Sequence, residues 1–376
     1  MDPIFISKQL QRLVDSAVSP RTGIRNAIMG ISYGEKFQWA GSSGIADSET
    51  GRPMDADTPF LIASITKMYT AAAVLILQAR GKLHLDEKIA QYIPDQGIAG
   101  LHHYKGSDYT GTLTIRHLIT QTSGLPDYFL DKLIRGKSVF DRILSEGDRA
   151  WELEDVIQIT RSSLSARFPP ANFANLVKQG GKRKAHYSDT NYKLLGLIIE
   201  TVEGNPLEVV FQELFFAPFD LRQTYLFCCP HSDNSKAPAR VYYKDRMMKL
   251  DQLMSSHGPE GGIVSMVGDV LRFGKAYFSG ELFEKYGVTV PVQQWNPIFF
   301  PFEYGYGLMR FKLPRLLMPF GYSPELVGHS GSSGSFLYYD RGLDLYMAGT
   351  VNQMAQRNVP FQLMLKTAQM FQTAAR

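Results

Sequence analysis

The chain has little cysteine, no long hydrophobic run and no large excess of charge of either sign. Its two cysteines, Cys228 and Cys229, are adjacent and cannot staple distant parts of a fold. The longest uninterrupted apolar run, residues 71–77, is far too short for a membrane span, which takes roughly 20 residues. The opening Met1-Asp2-Pro3-Ile4-Phe5-Ile6-Ser7-Lys8 has an early acid and no apolar signal-peptide core, so a cytoplasmic protein is expected, or a periplasmic or secreted one whose leader has been removed. With 40 basic and 36 acidic residues the net charge is only +4, which gives no reason to expect nucleic acid or a membrane surface as partner. His102-His103 and Cys228-Cys229-Pro230-His231 lack the spacing of a zinc site, and Gly305-Tyr306-Gly307 lacks the third glycine of a dinucleotide fold. No metal and no cofactor are implied.

What is present is an ordinary globular composition, 44% hydrophobic and 20% charged over 376 residues, enough for one large domain or two packed ones. Ile6, Leu10, Leu13, Val14 and Ala17 fall on one face of a helix over residues 4–17. Residues 24–33 and 36–40 read as a hairpin through Gly34-Glu35, followed by a turn-rich stretch to residue 57. Further helices are expected at 64–80, at 114–123 between a Thr114 cap and Gly124, around 139–144 and 152–164, after Asp189 or Thr190 as cap, and at 206–216 and 267–278. Strands are expected at 239–243, 306–311, 335–339 and 343–350, residues 261–265 lead into the 267–278 helix, and a last helix over 354–375 and a solvated basic loop at 178–184 complete the reading.

The chain is organised around Phe60-Leu61-Ile62-Ala63-Ser64-Ile65-Thr66-Lys67. A strand-like run ends at a hydroxyl where an alanine-rich helix begins, placing Ser64 at the N-cap or first turn with Lys67 three residues on, beside it. The helix start adds N–H groups and partial positive charge useful to an oxyanion. Gly30-Ile31-Ser32-Tyr33-Gly34 also matches the G-x-S-x-G pattern of a nucleophile elbow, but a second strand follows it where an elbow requires a helix.

The run from Pro53-Met54 through Thr58-Pro59-Phe60 to Ala73 resembles the active-site segment of the serine β-lactamase and penicillin-binding-protein superfamily, in its class C, D-peptidase and esterase branch. Three further landmarks stand in the family's order: Leu113 to Pro126 with its Thr-Ser-Gly turn, Tyr187-Ser188-Asp189 in place of Tyr-x-Asn, and His329-Ser330-Gly331 in place of Lys-Thr-Gly. The resemblance implies an α/β fold, an antiparallel sheet flanked by helices from residues 1–112 and 255–376, with a mainly helical part over 113–254 and the site in the cleft between.

It further implies that Ser64 is acylated, that Lys67 and Tyr187 share the general-base work with Lys67 lowering the Tyr187 pKa, and that the Ser64 and Ser332 N–H groups form the oxyanion hole. Asp189, His329, Gly331 and Tyr128 are the implied substrate contacts, Gly331 letting substrate lie along the strand. Three of them depart from the pattern. Asp189 replaces a neutral amide and either pairs with Lys67 or caps the following helix. His329 replaces a permanent cation and weakens the grip on a substrate carboxylate at neutral pH. Tyr128 stands where class C enzymes reach a glutamine. The expected substrates are small esters or amides with neutral acyl groups. The alternatives are a β-lactamase or D-amino-acid peptidase, and a non-catalytic relative that uses the cleft only to bind.

Overall fold

The structure is a computed structural model and describes residues 2–173, 183–227, 237–313 and 322–374. Helix α1 (Pro3–Ala17) forms where the periodicity predicts: the Asp2 carboxylate accepts from Ile4 N at 2.9 Å, and Ile6, Leu10, Leu13, Val14 and Ala17 make the buried face. Helix α2 (Thr66–Ala79) follows a 3-10 turn at Ala63–Ile65 and gives way to Gly81 at φ +68°. It is buried on every side from Thr66 to Leu77, so it runs through the core rather than over it.

Helix α3 (Ile115–Ile119) is capped by Thr114 but is shorter than expected: Gln121 at φ +60° leaves the right-handed helical region three residues before Gly124, the anticipated stop. Helices α4 (Val139–Glu146), α5 (Leu153–Ser163), α6 (Asp189–Glu203), α7 (Leu207–Phe211, running on as a π-turn to Phe216) and α8 (Val267–Ser279) match their sequence patterns. The last helix, α9 (Val359–Ala374), begins later than residue 354, because the Gln353 amide oxygen accepts from Ala355 N at 3.1 Å and Lys244 N at 2.9 Å and holds that segment as a turn. Cys228, Cys229 and all but the end of the basic loop lie outside the described residues.

Strands β1 (Asn26–Tyr33) and β2 (Phe37–Asp47) form the expected hairpin. β2 continues into the stretch read as turns, since β1 supplies ladder partners up to Gly44. No side chain fits at Gly44, where φ is +90° and a Cβ would lie 2.1 Å from the Arg25 carbonyl oxygen. After β3 (Arg52–Pro53) come β4 (Phe60–Leu61), β5 (Tyr225–Leu226) and β6 (Ile263–Ser265), which form a small sheet in the order β4-β6-β5. The expected strand at 239–243 shrinks to a two-residue pairing at Tyr242–Tyr243.

Strands β7 (Asn296–Phe299), β8 (Phe302–Tyr304), β9 (Met309–Lys312), β10 (Glu325–Ser330), β11 (Ser335–Asp340) and β12 (Leu345–Thr350) join β1, β2 and β3 in one nine-stranded sheet, ordered β7-β8-β9-β10-β11-β12-β1-β2-β3. All its pairs are antiparallel, and β12 pairs with β1 with Gly30 opposite Ala348, so the two ends of the chain meet within it. Both faces are covered. Ala27, Met29 and Ile31 face α1 and α9, whereas Ile28 packs with α2 and α8, and Gly30 lets the Val267 and Leu271 side chains approach β1. Ser32 lies inside β1, so the elbow pattern there is a strand.

Candidate active site

From Thr58 to Leu77 every residue is buried except Ser64. The preceding Ala63 has φ +47°, an uncommon conformation for a residue with a Cβ, which turns the chain so that the Ser64 hydroxyl emerges at the start of α2. Lys67 lies one helical turn on with its side chain fully buried, and its Nζ donates to Ser64 Oγ at 3.1 Å.

The loop after β10 is stitched to this segment. Ser333 Oγ donates to the Leu61 carbonyl at 2.9 Å and Ser335 Oγ to the Ile62 carbonyl at 2.7 Å. Gly331 is required by that closeness: a Cβ there would lie 2.6 Å from the Ile62 carbonyl oxygen and 2.1 Å from Ser335 Oγ. Its missing side chain thus serves the approach of the loop to the Ser64 turn. Ser332, in the same loop, is exposed.

Tyr187 and Asp189 arrive from the other side, held by the landmark that ends at Pro126. Gln121 clamps Ser188 twice, its Oε1 accepting from Ser188 N at 3.0 Å and its Nε2 donating to the Ser188 carbonyl at 3.2 Å. The Ser188 and Thr190 hydroxyls both donate to the Pro126 carbonyl at 2.8 Å. Neither Asp189 nor Thr190 caps α6, contrary to one sequence expectation. Asp189 is already its first helical residue, and its N–H is taken by the Asp127 carboxylate at 3.1 Å. That frees the Asp189 side chain, whose Oδ1 lies 2.6 Å from Lys67 Nζ. The contact is an ion pair off the hydrogen-bond axis, since Oδ1 takes no aligned hydrogen bond.

Lys67 therefore faces three oxygens: Ser64 Oγ, Asp189 Oδ1 and the Glu260 carbonyl, to which it donates at 2.6 Å. Its Nζ thus sits between the serine hydroxyl and a carboxylate, within reach of both. Tyr187 is hydrogen-bonded to Ser64, and its ring centroid is 5.2 Å from Lys67 Nζ. The nearby cation does not make it acidic, contrary to the expectation from sequence. Burial of the hydroxyl and then the charge of Asp189 push the Tyr187 pKa well above the usual phenol range, and the Ser64 hydrogen bond opposes this only in part. Tyr187 rests as a phenol. The Asp127 carboxyl is also pushed well up, by burial and then by the charge of Asp189.

Two expected substrate contacts are corrected. His329 is fully buried; its Nδ1 must donate to the Ser330 carbonyl at 2.8 Å, and its Nε2 faces Tyr304 Oη at 3.4 Å. Burial and the Lys67 charge hold its pKa at about 3, so it is a neutral ring packed behind Tyr187 rather than a group that holds a substrate carboxylate. Tyr128 is fully buried as well, and its hydroxyl donates to Glu260 Oε1 at 2.9 Å, so it meets protein instead of substrate. Sequence reading missed Gln121, Asp127, Lys193 and Glu260. None carries a local signal, and only the fold shows that Glu260 is fully buried.

Among the described residues no helix is long and apolar enough to cross a membrane, and no cluster of His, Cys, Asp and Glu could hold a metal ion. Esterase EstB of Burkholderia gladioli is 29% identical over 251 residues, 64% of this chain and 58% of that protein, and penicillin-binding protein 4* of Bacillus subtilis is 24% identical over 65% of this chain and 50% of that protein. The chain thus spans little more than half the length of these curated relatives. The D-amino acid amidase of Ochrobactrum anthropi SV3, solved with L-phenylalanine, has the same fold, with a TM-score of 0.73 at 20% identity over 99% of this chain and all of that one. A family model described as Beta-lactamase matches residues 10–368, and with the Ser64–Lys67 turn, the Tyr187 loop and the Gly331 loop arranged as above, the chain belongs to the Beta-lactamase family.

Proposed function

We propose that the protein is a serine hydrolase that forms an acyl-enzyme on Ser64 and acts on small esters or amides with neutral acyl groups. The observation that carries this reading is the 3.1 Å contact between Lys67 Nζ and the Oγ of the one unburied residue in its segment. Residues 1–112 and 255–376 act as one unit and 113–254 as the other, supplying Ser64 and Lys67 from the first and Tyr187 and Asp189 from the second. The Ser64 and Ser332 N–H groups receive the carbonyl oxygen of the substrate as it becomes an oxyanion.

In acylation Ser64 Oγ bonds to the carbonyl carbon and its proton passes to Tyr187 Oη, which must first be a phenolate. Lys67 stabilises the negative charge on both oxygens. Tyr187 then protonates the departing alcohol or amine as its bond to the acyl carbon breaks. In deacylation the same phenolate takes a proton from water, the hydroxide adds to the acyl carbon, and Ser64 leaves with its proton restored.

With His329 neutral and buried, that position offers no cation to a substrate carboxylate, which supports uncharged acyl groups as substrates, and the relatives include an esterase. A p-nitrophenyl ester and a chromogenic cephalosporin assayed side by side test this. The ester is expected to be turned over with the higher kcat/KM, by about tenfold or more, the worth of one missing ion pair of ~1.4 kcal/mol. A ratio in favour of the cephalosporin assigns the protein to β-lactam chemistry, and turnover of neither leaves the binding relative.

A further inference from the structure

Behind Lys67, away from Ser64, is a second buried pair of charges. Glu260 is fully buried, its Oε1 accepts from Tyr128 Oη at 2.9 Å and lies 3.7 Å from Lys193 Nζ, and its Oε2 has no hydrogen-bond partner. Lys193 itself donates to the Ser256 carbonyl. The backbone of the same glutamate provides the carbonyl that receives Lys67 Nζ, so its side chain and its grip on Lys67 move as one body.

We infer that Glu260 is a positioning residue for the Ser64–Lys67–Tyr187 set: its clamped side chain fixes the carbonyl on Lys67, and gain or loss of its charge tunes proton transfer between Ser64 and Tyr187. The inference rests on the serine-hydrolase reading above. The groups that face Glu260 are Lys67 from α2, Asp189 and Lys193 from α6, Tyr128 from the loop after Pro126, and His257 at 3.9 Å from the turn before it. Neither His257 nor Tyr128 changes charge near neutrality. Burial, then Lys193 and Lys67, hold His257 well below its usual range, and burial with Glu260 holds Tyr128 well above its own. Glu260 does: burial pushes its carboxyl up to about 7, against the pull of Lys193. When it ionises, the new negative charge makes Tyr187 harder to deprotonate, because Glu260 is one of the charges that raise the Tyr187 pKa.

The test is the kcat/KM profile from pH 5 to 9 with a p-nitrophenyl ester, for the wild type, Glu260→Gln and Lys193→Met, with unfolding midpoints measured alongside. Glu260→Gln keeps an oxygen for Tyr128 and removes the charge. Its profile is expected to coincide with the wild type below pH 6 and to rise about threefold or more above it beyond pH 7, the wild type alone showing a downward inflection near pH 7. Lys193→Met removes the cation that favours ionised Glu260 and should move that inflection to higher pH. A constant ratio across the whole range, as a purely structural role gives, overturns the inference, and so does a Gln variant that is slower above pH 7. Should the Gln variant not fold, an inflection unmoved in Lys193→Met overturns it alone. If the wild type does not label with a fluorophosphonate at Ser64, the hydrolase reading has failed instead.

Discussion

Replacing Lys67 by methionine is expected to lower kcat/KM for an ester about a thousandfold, in the middle of the range for removing a positioned acid–base group. Methionine fills a similar volume, but it takes away the donor to Ser64 Oγ and the cation that offsets charge on Tyr187 and Ser64. It also strands the Asp189 carboxylate in a site where its side chain is only 8% exposed, so the single variant should lose about 3–5 kcal/mol of stability as a broken buried pair does. That loss could mimic a catalytic effect. The double variant Lys67→Met with Asp189→Asn separates the two: denaturant unfolding should recover most of the stability while activity stays down. Recovery of activity together with stability would make Lys67 a structural residue.

The second large effect is on pH dependence. Asp189 is the strongest charge acting to raise the Tyr187 pKa, after burial itself. A phenol whose pKa is raised supplies its basic form only toward alkaline pH, so the acidic limb of kcat/KM should lie above neutrality in the wild type. Asp189→Asn removes the charge and keeps the shape, and it should move that limb to lower pH and raise kcat/KM at pH 6 by about tenfold, equivalent to ~1.4 kcal/mol. His329, held at about 3, remains neutral throughout and adds no limb of its own. Should the limb stay in place while Tyr187→Phe removes activity, Asp189 is not coupled to the proton transfer and serves only to hold Lys67.

The parts of the site written in consecutive residues were legible before the fold. Ser64 and Lys67 depend only on helical spacing, and the glycines around Ser332 only on a loop that closes on its neighbours. The charge states were not legible, because they depend on groups distant in the chain. Burial raises Tyr187 first, then Asp189, Asp127 and Glu260, and no spacing shows that these three acids act on one phenol. Asp189 has the sequence context of a helix cap, and Asp127 takes that task from another segment. His329 and Tyr128 sit on elements that border the site, but register and packing turn both side chains inward. In the fold, the edge strand β7 and its neighbour β8 were missed because Pro297 interrupts the pattern and the pairing shifts register between Pro297 and Phe299.

The mechanism stands or falls on Ser64 forming the covalent bond to the acyl group. Intact mass followed by peptide mapping, after treatment with a fluorophosphonate, tests this most directly. One adduct per chain on the peptide carrying Ser64, absent in a folded Ser64→Ala variant that has also lost ester turnover, is the expected result. A stoichiometric adduct on any other residue, or undiminished turnover by Ser64→Ala, would contradict it.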